Sequence, residues 1–90
     1  MLKVNEIYSV TERTTQGVRK AYALRECLLN KNYVVAIYPH RFRTSSDHQM
    51  MGDLLEKDRV FSRIILDGNS FRSSEIIVSE PYESLVKELL

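Results

Sequence analysis

The run Tyr33-Val34-Val35-Ala36-Ile37-Tyr38 constrains this chain more than any other stretch. A nearly continuous apolar segment of this kind reads as a central strand covered on both faces. It leads into a basic loop, Pro39-His40-Arg41-Phe42-Arg43-Thr44-Ser45-Ser46-Asp47, and then into a helix carrying Met50, Met51, Leu54 and Leu55. Ser45 or Ser46 is placed to cap that helix, which is expected to end near Lys57 or Asp58. Gly52 inside it weakens it by about 1 kcal/mol relative to alanine. Strand, basic loop and helix start together make a geometry suited to holding an anion.

The rest of the chain is read around that unit. Residues 2–10 carry Val4, Ile7, Tyr8 and Val10 and read as a first strand, ended by the polar run 11–17. Over residues 18–29, Val18, Ala21, Leu24 and Leu28 recur at helical spacing with Cys27 beside them, which predicts a helix stopped by Asn30-Lys31-Asn32. Residues 60–66 read as a third strand. Asp67-Gly68-Asn69 is a turn signal, so residues 74–78 are expected to return antiparallel. Pro81 opens a last helix with Tyr82, Leu85, Val86, Leu89 and Leu90 on one face. The order β-α-β-α-β-β-α predicts an α/β domain of two or three layers, with a mostly parallel sheet and an antiparallel edge hairpin. Its expected core is Leu24, Val35, Ile37, Ile64, Ile65 and Ile77.

Ninety residues make one domain, residues 1–90. A formal charge of +1 leaves the distribution of charge, not its sum, to decide the partner. No stretch has the roughly 20 apolar residues a membrane span needs, and the N-terminus lacks an apolar signal-peptide core. The single cysteine, Cys27, excludes an intrachain disulfide and fits a reducing cytoplasm.

In a parallel sheet, the loops after the strands share one edge, where ligands bind. The expected fold would therefore gather Arg13, His40, Arg41, Arg43 and Arg72 beside two helix starts. With Lys20, Ser45 and Ser46, these form a candidate site for phosphate, nucleotide or nucleic acid. The bland alternative is solvated surface charge paired with Glu12, Asp47 and Asp67.

Thr14-Thr15-Gln16-Gly17-Val18-Arg19-Lys20-Ala21 resembles the Walker A segment of P-loop NTPases, with Lys20 where that motif has its lysine. Val34-Val35-Ala36-Ile37-Tyr38-Pro39-His40-Arg41 is similar to the second strand of helicase and terminase motors. Arg19 stands where the motif has a glycine, Ala21 where it has the magnesium-binding hydroxyl, and Thr14 where it has its first glycine. The resemblance implies a shortened relic unable to hydrolyse ATP.

No catalytic constellation, cofactor or metal is expected. His40 and His48 lie in different elements from Cys27, and Ser45, Ser46, Asp47 and His48 read as capping groups, not a triad. The last helix either covers the sheet or leaves Tyr82, Leu85, Leu89 and Leu90 open to a protein partner or a second copy of the chain. The expected function is a small non-enzymatic regulatory, inhibitory or accessory protein that binds a macromolecular partner. The alternative is a phosphate, nucleotide or nucleic-acid binder using the arginine edge.

Overall fold

The computed structural model describes residues 1–52, 59–68 and 74–90. In chain order it contains β1 (Leu2–Thr14), β2 (Gly17–Leu29), a 3-10 turn (Lys31–Tyr33), β3 (Val34–His40), α1 (Ser45–Met51), β4 (Phe61–Leu66), β5 (Glu75–Val78) and α2 (Tyr82–Leu89). The strands form one five-stranded sheet in the order β2-β1-β5-β4-β3. Every neighbouring pair is antiparallel. This overturns the expected parallel α/β arrangement.

The decisive difference lies in residues 18–29, which form β2 and not a helix. Their apolar residues satisfy two periods at once. Ala21, Ala23, Cys27 and Leu29 alternate onto one side, while Tyr22, Leu24 and Leu28 alternate onto the other. Helix propensity is a weak prior, and cross-strand pairing overrides it here. β1 and β2 pair symmetrically about Thr15-Gln16, which sets Glu6 opposite Arg25 and Glu12 opposite Arg19. Both pairs close as ion pairs, at 3.0 and 2.9 Å. Gly17 completes the turn at φ 124°, a value L-residues rarely adopt.

The sheet is strongly coiled. β2 and β3 are its two edges, yet only Asn30 and the 3-10 turn join them. A flat sheet would hold its outer strands about 19 Å apart before any stagger. Five fully extended Cα steps span at most about 18 Å, and the link is partly helical. The inner face therefore closes on itself. It holds Leu2 and Val4 of β1, Leu29 of β2, Ile64 and Leu66 of β4, and Ile76 and Val78 of β5. Leu85 of α2 is set among them, and Val34 and Ile37 of β3 pack alongside. The outer face carries Ile7 and Phe61, covered by Phe42 and Met51, with Tyr22, Leu24 and Ile77 packed beside them.

β3 is an edge strand, not the expected central one. Leu66 N–H donates to the Ser74 carbonyl at 2.8 Å, so the Leu66 backbone faces β5. By alternation, Ile65, Arg63 and Phe61 face β3, and their partners Ala36, Tyr38 and His40 face back. Pro39 falls between, with its donorless nitrogen toward the open edge, the position a strand proline tolerates. A register shift between Val34 and Ala36 turns Val35 out to 69% exposure, contrary to its expected burial. Of the other expected core residues, Ile64 is fully buried, whereas Leu24, Ile37, Ile65 and Ile77 are half-buried.

The β4–β5 hairpin and the final helix form where expected, with Pro81 as the N-cap of α2. The junction before α2 is tied down by Glu80. Its carboxylate accepts from Asn5 N–H at 2.7 Å and from the Asn5 amide at 3.1 Å. Its carbonyl accepts from the Ser62 hydroxyl at 2.8 Å. The expected helix residues Leu54 and Leu55, and its end near Lys57 or Asp58, lie outside the described residues. No helix among the described residues is long and apolar enough to cross a membrane.

Candidate functional site

β5 pairs with β1 only at Glu6 and Ile7. Beyond that point, among the described residues, β1 and β2 pair only with each other, and a two-stranded ribbon projects from the sheet. Strands of 13 residues at about 3.3 Å per residue match the 45 Å long axis of the molecule in length. Across residues 11–20 every residue is exposed except the half-buried Glu12. At the tip the Thr14 hydroxyl donates to the Gly17 carbonyl at 3.0 Å and accepts from Gln16 N–H at 3.3 Å.

The two faces of the ribbon differ in charge. On one, Arg19 is committed to Glu12, with Nε and Nη2 each 2.9 Å from the same carboxylate oxygen. On the other, Thr11 sits opposite Lys20 and Arg13 opposite Val18. Arg13 and Lys20 are thus diagonal neighbours, a separation of roughly 7–8 Å that long side chains bridge easily. Val18 lies between them at 67% exposure. No acid from residues 11–20 shares that face.

Below the ribbon, the chain after β3 crosses the outer face. The Phe42 ring packs against Tyr22 of β2 at 5.2 Å and Phe61 of β4 at 5.4 Å, and the His40 ring meets it edge-on at 4.8 Å. Tyr22 Oη–H donates to Asp47 Oδ1 at 2.9 Å. The Thr44 hydroxyl donates to Asp47 Oδ2 at 2.8 Å and accepts from Asp47 N–H at 3.0 Å. His48 Nε2–H donates to the Phe42 carbonyl at 2.8 Å. The Tyr22 bond fastens α1 to β2, and those of Thr44 and His48 tie the helix to the segment before it. Asp47 is held below the ordinary carboxylate range, through the Thr44 bond first, then the Tyr22 bond and the nearby histidines. Burial, reinforced by Asp47, pushes Tyr22 up to about 12. His40 is lowered by burial and then by the charge of Arg63. A cleft of ≈ 330 Å³ opens here, floored by Ile7 and Ile77 and flanked by Tyr22, His40, Arg41, Asp47 and Glu75.

The expected anion-site residues are divided between two places. Arg13 and Lys20 meet on the ribbon, whereas His40 and Arg41 line the cleft. Arg43 and Ser46 are exposed near the start of α1. The Ser45 side chain and Arg72 lie outside the described residues. Without a parallel sheet there is no shared strand-end edge to unite these groups. Thr44, not Ser45 or Ser46, caps α1, and Asp47 already stands in its first turn. The segment that resembles Walker A forms a hairpin turn leading into a strand, so no phosphate-cradling loop precedes a helix.

Of the expected partner face, Leu85 is buried and Leu89 packs on the inner core, while Tyr82 is half-buried. Leu90 alone of the four is fully exposed. Among the described residues no three His, Cys, Asp or Glu side chains converge on a metal position. Sequence reasoning missed Tyr22, Phe42 and Thr44. The spacing of Thr44 and Asp47 is a capping-box signature and was the available signal for Thr44. Comparison with known protein families, curated proteins and solved structures finds no match to this chain.

Proposed function

We propose that this protein is a small non-enzymatic binding module, a regulatory, inhibitory or accessory protein that engages a macromolecular partner through the β1–β2 ribbon. The observation that carries this reading is the exposed ribbon itself. Residues 11–20 are ordered in register yet contribute almost nothing to either apolar cluster. An isolated two-stranded hairpin is marginal in water, and ordering each residue costs about 1–2 kcal/mol of backbone entropy. A chain of this size maintains such an arm at a loss to its own stability, which favours a recognition role. Tyr22 and Asp47 of the outer cleft are bonded to each other in fastening α1, which fits a scaffold. The single cysteine favours a reducing, cytoplasmic setting.

A photo-crosslinking residue at Val18 tests the reading in the native host, with the same probe at exposed Glu83 on α2 as the control. Adducts at position 18 that are absent at position 83 are expected. A position 18 that stays free of adducts while position 83 captures a partner would remove the ribbon from the function.

A further inference from the structure

We infer that the partner of the ribbon is double-stranded DNA, received in the major groove against the Arg13 and Lys20 face. This inference rests on the ribbon being the recognition element. Between residues 11 and 20 the chain presents three cations, Arg13, Arg19 and Lys20, against one acid, Glu12, and that acid is spent on Arg19. The remaining face offers Arg13 and Lys20 with Thr11 beside them, and Thr15 and Gln16 form the turn. Charge and short hydrogen-bond donors in this mixture match a phosphate backbone and the polar edges of bases.

The same residues argue against the other macromolecules. A protein interface is usually anchored by several buried Trp, Tyr or Arg side chains. Residues 11–20 contain no aromatic side chain and no apolar residue larger than Val18, and with Arg19 spent on Glu12 only Arg13 is left as such an anchor. Single-stranded nucleic acid is held largely by base stacking on aromatic rings, for which the ribbon offers no platform. Duplex RNA has a deep, narrow major groove that side chains cannot read. The major groove of B-DNA, about 12 Å wide, admits a two-stranded ribbon. Arg43 is exposed and follows Phe42, which packs on the outer face from which the ribbon's cationic face continues. It supplies a third positive charge toward flanking phosphates.

The test is fluorescence-anisotropy titration of the full chain with labelled random-sequence DNA duplexes of about 20–30 bp, single-stranded DNA of equal length and an RNA duplex. Three phosphate-directed cations predict a log–log salt slope near −2.7, or about a 40-fold loss of affinity between 50 and 200 mM salt. Arg13→Ala with Lys20→Ala should lower duplex affinity at least tenfold and flatten the slope by about 2. Both side chains are exposed, so the melting temperature should be unchanged; Glu83→Ala serves as a control with unaltered binding. Methylation of guanine N7, which projects into the major groove, should interfere with binding. The inference is overturned by no duplex binding at 50 mM salt, by binding indifferent to the Arg13 and Lys20 changes, by N7 methylation without effect, or by preference for single strands or RNA. If duplex binding fails while the Val18 probe still captures a protein, the ribbon keeps its recognition role and only the DNA assignment falls. If both fail, both readings fall.

Discussion

The hydroxyl of Tyr22 is the point at which α1 is fastened to the sheet, and removing it isolates one interaction. Tyr22→Phe retains the ring that packs on Phe42 and deletes only the bond to Asp47 Oδ1. A hydrogen bond to a charged group contributes about 1.5–3 kcal/mol. The rise of Tyr22 from 10 to about 12, caused first by burial and then by Asp47, corresponds to about 2.7 kcal/mol of stability lost when the phenol ionises, of which the bond is only a part. Solvent screening around a partly exposed side chain reduces both figures, and we expect a loss of about 1–2 kcal/mol at pH 7. For a domain of this size that lowers the melting temperature by roughly 5–15 °C.

The pH dependence supplies the stronger test, because a raised pKa makes the stabilisation present below the unfolded value of 10 and lost as pH climbs toward about 12. Urea unfolding of the natural chain and the variant, from pH 7 to pH 12, should show a gap that is constant to about pH 9 and narrows beyond it. Other tyrosines and lysines titrate equally in both proteins and cancel in the difference. A gap that stays constant to pH 12, or no gap at pH 7, would refute the reasoning. Asp47 makes the acid-side counterpart. Its folded carboxyl is depressed, so its contribution is complete above the ordinary carboxylate value and disappears as pH falls through the folded one.

Leu85→Ala opens a cavity where α2 enters the inner core, with the side chain 1% exposed, and should cost about 2–5 kcal/mol. Val35→Ala, on the solvent side of the β3 bulge, should change stability by less than about 0.5 kcal/mol in the same urea assay. Gly17→Ala meets no steric obstacle but must adopt φ 124°, a strain of about 1–3 kcal/mol. Amide exchange within residues 11–20 should therefore accelerate by about fivefold or more while Ile64 remains protected.

What was legible in the sequence was mostly local. Asp67-Gly68 announced the return into β5, and Pro81 announced α2, because a turn and a helix start are set by a few adjacent residues. Residues 18–29 were ambiguous because both sides of β2 carry apolar groups, so alternation was masked by a three-to-four spacing. The resolving signal was long-range. Acids at Glu6 and Glu12 mirror Arg25 and Arg19 about a turn ending in Gly17, and only a hairpin places those charges together. Reading β2 as a helix then forced β3 into parallel, central register, although Pro39 directly after the apolar run already marked an edge. The candidate site suffered the same way. Arg13 and Lys20 were noticed for a loop and a motif, but their meeting on one ribbon face follows from strand pairing and could not emerge from a helix.

The seam between β1 and β5 also governs the order in which the molecule assembles. The β1–β2 hairpin needs only neighbours in sequence, whereas Glu6 must find Val78 and Ile7 must find Ile77 across most of the chain. Closing a loop of that length costs about 4 kcal/mol of chain entropy beyond a constant, set against two ladder pairs and the Glu80–Asn5 bonds. Hairpin formation is expected to be fast and seam closure slow, so the seam belongs to the rate-limiting step. Substitutions at Asn5 or Glu80 should therefore slow refolding, whereas substitutions along residues 11–20 should leave its rate nearly untouched.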